Sequence, residues 1–412
     1  MADALASGAR GRDGTLVLLA VAATAINLRG VVTILSPIAD RVRADIPFDS
    51  VTFGMIGSLP QLLFAGAGFV TPLLLRRLPL DVLAALTMFV GCVAQLLRPL
   101  GDSVVLFFAA TALAFLGIGI GNIIMPPLVK RYFPHRIAGM TTLYSTLMGV
   151  STTIPPLYVV GMAQAYGWRR AMASWALPAA LACLLWCAVA VRRRQIGTAA
   201  ADAVDAPPAV DDSAQRLRLW RSGQVWGITG IMAIQSMIVY TMFAWLPSLL
   251  RDAGLDEALA AAYLGLFSLL GIFMPLIISP LTERMRRLHP LVIVSTVLFV
   301  IGLVGLMVAP ATGTTVWVTA VGLGPLTFSL VLNLINLRSR TQAGSAQLSS
   351  FVQGGGYLLA FAGPMAFGVL HQITGGWVWP LALMLAVALS SMLCGALGLR
   401  EGFIEDDPLL RD

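Results

Sequence analysis

The sequence predicts an all-α integral membrane protein with twelve transmembrane helices in two six-helix parallel repeats. Three observations carry that reading: a composition unsuited to water, apolar runs of membrane-spanning length, and an echo of the first half in the second. Hydrophobic residues make up 58% of the 412 and charged residues only 11%, with a mean hydropathy of +0.85. A soluble domain carries roughly a quarter charged residues, and a soluble fold of this length could not bury so much apolar surface. The composition excludes a cytosolic enzyme, a nucleic-acid binder and a disulfide scaffold.

A spanning helix needs about 20 predominantly apolar residues. Such runs fall at 14–39, 51–75, 81–100, 104–128, 138–162, 171–191, 223–247, 258–281, 290–309, 315–337, 345–370 and 377–399. Backbone polar groups find no water in lipid, so the runs must be helices or strands of a closed barrel. They lack the two-residue alternation of barrel strands and are about twice as long. Helices are predicted throughout.

Orientation follows from the basic residues. With the N-terminus inside, only Arg41, Arg43, Arg98, Arg169, Arg170 and Arg251 of the 27 Lys and Arg residues lie on the outer side. Arg29 lies within a span, and all the others are on the inner side. Both termini are therefore expected in the cytoplasm. The pI near 9.7 is a by-product of this topology, and no nucleic-acid partner is read from it. Arg10 and Arg12, the apolar run from Thr15 and the Ala23/Ala25 spacing imitate a cleavable secretory signal. The apolar stretch continues past Arg29 to Ala39, however, and its removal would invert every later loop against its charge bias. It is read as a retained first span.

Between the sixth and seventh runs the texture changes to Arg192-Arg193-Arg194 and then a stretch rich in Asp, Pro and Ala. Such a segment buries nothing and is expected to be a mobile cytoplasmic linker. The predicted organisation is a cytoplasmic tail (1–13), a six-helix bundle (14–191), the linker (192–222), a second six-helix bundle (223–399) and a cytoplasmic tail (400–412). The halves echo each other in order and in register. Pro72-Leu73 before Arg76-Arg77 returns as Pro280-Leu281 before Arg284, Arg286 and Arg287. Gly167-Trp168 returns as Gly376-Trp377, Lys130-Arg131 as Arg338 and Arg340, and Asn27 as Gln235. A parallel repeat of this kind is the architecture of the major facilitator superfamily, in which the cargo site lies at the midplane and rocking alternates access.

The costly residues inside the spans point to the chemistry. Each of the 20 acidic residues falls outside the deep spans, and His135, His289 and His371 sit at loop edges. One charge remains at depth. Arg29 lies about fifteen residues into the first run, at a cost of at least ~2.5–3.5 kcal/mol. No carboxylate at that depth can pair with it. It could instead be satisfied by helix carbonyls or by snorkelling outward. The functional reading is a guanidinium whose counter-charge is the cargo, since it stays ionised and offers a planar donor fork. Gly30 would let the helix bend there.

Asn27, Gln61, Gln235, Tyr240, Gln353 and Tyr357 lie at similar depth; each is either a cargo-orienting group or a bond to a neighbouring helix. The runs Gly117/Gly119/Gly121 and Gly354/Gly355/Gly356 are expected to permit close helix approach. Arg98 is either an interfacial anchor or a charge at the outer mouth that draws anions in. Cys92, Cys183, Cys187 and Cys394 all lie within spans without His or carboxylate neighbours, so they are read as packing residues; no metal, cofactor or disulfide is expected. No nucleophile–base pair or paired carboxylate occurs at membrane depth, which argues against an enzyme. No loop is large enough for the soluble domain of a receptor. Without an intramembrane Asp, Glu or His, coupling would need a cargo-borne proton, a loop-edge group or exchange; a uniporter is equally allowed.

Several strings resemble the cyanate/2-nitroimidazole transporter family of that superfamily. They are Asn27-Leu28-Arg29 with Ser36-Pro37, Met125 to Phe133, Gln235-Ser236 with Tyr240 and Trp245-Leu246-Pro247, and Leu348-Ser349 with Gln353, Gly356-Tyr357 and Gly363-Pro364. Members usually have Pro after the first-helix Arg, where this chain has Gly30. The superfamily pattern after the second helix keeps its charges at Arg76-Arg77 but loses its glycine. The resemblance implies a bacterial inner-membrane permease for a small anion or polar heterocycle, with cyanate the named candidate. The expected partners are that small-molecule cargo and the bilayer, with the chain acting as a monomer. The alternative within transport is a permease for neutral drug-like molecules such as nitroimidazoles.

Overall fold

Long apolar segments leave the backbone one way to satisfy itself in lipid, and the computed structural model, which describes residues 2–196 and 218–406, is helical accordingly. Among the described residues there is no strand, and twelve helices are long and apolar enough to cross a membrane. They are α1 (Gly14–Asp45), α2 (Ser50–Leu75), α3 (Leu80–Leu97), α4 (Val104–Tyr132), α5 (Gly139–Tyr166), α6 (Trp168–Arg192), α7 (Gly223–Asp252), α8 (Glu257–Met274), α9 (His289–Val308), α10 (Thr314–Leu337), α11 (Gln347–Thr374) and α12 (Val378–Gly398). Most of the linker expected at 192–222 lies outside the described residues.

The chain divides into two compact units, one of Met1–Ile46 with Gly66–Ala209 and the other of Pro47–Ala65 with Val210–Asp412. The first part of α2 thus groups with the later helices. Hydropathy could not show this, because it depends on which neighbours the segment meets.

In the first unit, α1 packs against α4, α5 and α6, and α3 against α4 and α6. Trp186 of α6 is wholly buried and its indole donates to Thr24 Oγ1 of α1 at 2.8 Å. The hydroxyl of Tyr132 ends α4 on the Asp81 carboxylate at 2.5 Å. A Cβ at Gly121 would lie 2.6 Å from Leu28 Cδ2, so α4 meets α1 as closely as its glycine run anticipates. The first helical stretch runs unbroken from Ala2 to Thr33, through Gly30. The expected bend falls later, at Ile34–Leu35, where the chain turns into a short 3-10 helix (Ser36–Ile38). Pro37 sets that position, since it supplies no N–H and fixes its own φ.

In the second unit, α7 is the central element and contacts α8, α10, α11 and α12. Its N-terminal half lies in an apolar core with Ile228, Met232, Leu330, Leu334, Leu348 and Val352. A Cβ at Gly356 would meet Met232 Cγ at 2.6 Å, so the α11 glycine run likewise serves close approach to α7. Beyond α12, Glu405 accepts from the backbone N–H groups of Arg340 and Thr341 at 3.0–3.1 Å and ties the tail to the α10–α11 turn.

The internal repeat extends to a specific bond. Trp168 Nε1 donates to Asp45 Oδ2 at 2.8 Å in the first unit, and Trp377 Nε1 donates to Asp252 Oδ2 at 3.1 Å in the second. In each unit the carboxylate closes the first helix of the repeat and the indole opens the sixth. Arg169 strengthens the first clasp by binding Asp45 and, at 2.5 Å, Asp102. A net contribution of about 1 kcal/mol is expected for one such bond. Trp377→Phe should therefore lower the unfolding free energy in detergent by about that amount. The loss should vanish in an Asp252→Ala background, which removes the acceptor, as a double-mutant cycle would show.

Candidate functional site

The first unit holds Arg29 midway along α1. The side chain is half-buried and takes part in an interaction of its own, so the structure does not leave the guanidinium free, as the sequence reading supposed. Asn27, two residues earlier on the same helix, is wholly buried. It accepts from Gln95 Nε2 at 3.3 Å and donates to Met88 Sδ at 3.6 Å. Both ends of its amide are therefore spent on α3, and of the two readings open for Asn27 the structure supports helix packing. Sequence reading missed Gln95, whose Oε1 is buried without a hydrogen-bond partner.

Arg98 departs from expectation. It caps the C-terminal end of α3, yet it is only 1% exposed and neither an interfacial anchor nor an open mouth charge. The guanidinium lies over the Phe107 ring at 5.5 Å, with Nε and Nη2 enclosed and unbonded. Attraction to the ring face and to the negative helix end offsets part of that cost.

Trp175 is another residue the sequence did not flag. It sits where α6 is interrupted, between the helical stretches Trp168–Ala173 and Ala176–Ile196. Its indole lies on α1 at Gly30, and a Cβ added there would fall 2.0 Å from Cζ2. Gly30 is thus needed for space. Apolar-run analysis reads a tryptophan in a span as core, and only the missing Cβ at Gly30 hinted at a large neighbour.

In the second unit the predicted residues Tyr240 and Tyr357 come together. Their rings meet edge to face at 6.5 Å, and Phe64 meets Tyr357 the same way at 6.4 Å. Gln61 lies one turn from Phe64 on α2. Phe53 meets Trp245 edge-on at 4.8 Å, and a Cβ at Gly57 would lie 2.7 Å from Ala244 Cβ. These two contacts run in opposite chain directions along α2 and α7. Ser58 and Gln61 continue along the same stretch of α2, and Thr241 follows Tyr240 on α7. Gln61 Nε2 and Oε1, Ser58 Oγ and Thr241 Oγ1 are all buried with no hydrogen-bond partner. Each unmet group costs about 1–3 kcal/mol, a concentration of expense typical of functional positions.

Gln235 stands apart from this group. It is buried, and its Nε2 donates to Ser236 Oγ at 2.7 Å and to Met232 Sδ at 3.6 Å within its own helix. Gln353 is half-buried and donates to Ser349 Oγ at 2.7 Å, again within one helix. Aromatic edges beside an amide with spare donor and acceptor suit a small planar polar solute.

The Major Facilitator Superfamily model matches residues 16–346. An uncharacterized transporter of Bacillus subtilis, YycB, is 31% identical over 92% of this chain and 91% of its own length. The 2-nitroimidazole transporter of Escherichia coli is 29% identical over 95% of this chain and 96% of its own. The cyanate transport protein CynX of the same organism is 25% identical, covering 88% and 91%. Among solved structures, a bacterial homologue of the human lysosomal transporter Spinster, inward-facing and occupied, superposes with a TM-score of 0.71 over 94% of this chain and 96% of its own, at 13% identity. That last likeness concerns fold alone.

Proposed function

We propose that this chain, which belongs to the major facilitator superfamily and within it resembles the cyanate and 2-nitroimidazole transporters, moves a small anionic or polar planar solute across the bacterial inner membrane. Access alternates by rocking of the bundles, and the carrier acts as a monomer with both termini in the cytoplasm. The reading rests on Arg29, a half-buried charge midway along α1 in a chain whose acids all lie away from membrane depth. Its fixed positive charge makes an anion the favoured cargo and a cation the disfavoured one. Gln61, Tyr240 and Tyr357 supply the orienting amide and the ring edges.

A second reading, transport of a neutral nitro-heterocycle, is favoured by the Phe64–Tyr357–Tyr240 ring group, which offers apolar edges and no charge. Uptake by the purified protein in liposomes separates the two. Cyanate and other small monoanions should enter saturably, and 2-nitroimidazole should compete weakly. Uptake of 2-nitroimidazole with indifference to every monoanion would select the neutral cargo instead.

A further inference from the structure

The buried tryptophans of this chain follow a rule with one exception. Trp168, Trp186 and Trp245 are buried, and each indole N–H has an acceptor, at 2.8, 2.8 and 3.1 Å. Even the half-exposed Trp226 and Trp377 find one. Trp175 is equally buried, at 4% exposure, and its Nε1 has none. An enclosed donor without an acceptor is costly to keep, since desolvation goes uncompensated.

The position is also built. Trp175 lies against α1 at Gly30, where an added Cβ would stand 2.3 Å from Cε2 and 2.7 Å from Nε1. Any larger residue would push away the edge of the indole that carries the N–H. The ring also stacks with Tyr158 at 6.4 Å and 22°. Tyr158 is itself held by the hydrogen bond between its hydroxyl and Ser174 Oγ at 2.8 Å. The ring is therefore held by two neighbours, and its N–H edge meets α1 at Gly30, the residue after Arg29.

We propose that Trp175 is a cargo-binding residue whose indole N–H donates to an oxygen or nitrogen acceptor of the solute held by Arg29, with Gly30 setting specificity by admitting the indole. This rests on the reading of Arg29 given above. The acceptor arrives with the cargo, when the side chains over α1 part to let it in. A neutral donor beside a cation selects small, acceptor-rich solutes: a pseudohalide-type monoanion gains both contacts, and a solute without a compact acceptor leaves the N–H unmet. The discrimination is of the kind a buried polar group imposes on ligands that fail to pair with it.

Trp175→Phe removes the N–H and keeps a ring to stack on Tyr158. In liposomes, with cyanate or 2-nitroimidazole, whichever the wild type takes up, this variant should raise KM about tenfold while Vmax changes less than twofold. Gly30→Ala, which displaces the indole, should raise KM at least as much, and in a Trp175→Phe background it should add little. A second readout guards against misfolding: the rise in melting temperature that saturating solute gives the wild type in detergent should shrink in Trp175→Phe, with the unliganded melting temperature kept. A wild-type KM in Trp175→Phe, with Arg29→Gln inactive, would overturn the role of Trp175 alone. Wild-type uptake by Arg29→Gln would overturn the reading beneath it as well.

Discussion

Arg29→Gln should abolish uptake while the protein still inserts, purifies and melts as the wild type does. The substitution removes the charge and the planar fork of donors, leaving a shorter neutral amide with two N–H donors in place of five. Losing one partner of a desolvated charge pair typically costs about 2–5 kcal/mol. At about 1.4 kcal/mol per tenfold, cargo affinity should fall by about one and a half to three and a half orders of magnitude. Removing an intramembrane charge also withdraws an insertion penalty, which offsets the loss of the contact that Arg29 makes, so the variant should keep the stability of the parent. Arg29→Lys keeps the charge as a point and loses the planar fork; intermediate uptake is expected. Initial-rate uptake in liposomes, alongside thermal unfolding in detergent, checks both statements.

Gln61→Leu should make the protein more stable and less active. Both ends of the Gln61 amide are buried without hydrogen-bond partners. Replacing it with an apolar side chain of similar size removes the desolvation cost of the unmet groups, for an expected gain of about 1–3 kcal/mol. Uptake should nevertheless fall about tenfold or more, because the spare donor and acceptor beside Phe64 and Tyr357 are lost to the cargo. Stability gained against function is the usual trade at binding positions. The opposite result, a less stable protein with normal uptake, would assign the amide to helix packing instead.

Much of this molecule was legible in its sequence. Twelve spans could be counted because a lipid-facing helix must be apolar over its whole length, and the two halves could be matched from fragments such as Gly167-Trp168 and Gly376-Trp377. That pair proved to mark the same indole–carboxylate clasp in each unit. Side-chain direction was not legible. Asn27 and Gln61 are both amides at similar depth, yet one is consumed by Gln95 and Met88 while the other stays unmet, and only tertiary neighbours decide. Arg98 could be read as an interfacial anchor or a mouth charge by its distance along α3, but its side chain is buried with the guanidinium over the Phe107 ring. Gly30 looked like a hinge, and its missing Cβ turned out to make room for Trp175.

Equilibrium binding of a labelled small monoanion such as cyanate to the purified carrier tests the central claim without any assumption about coupling or direction. The wild type should bind one anion per chain saturably, Arg29→Lys more weakly, and Arg29→Gln not measurably. Equal binding by Arg29→Gln and the wild type would contradict the assignment of Arg29 as the cargo's counter-charge.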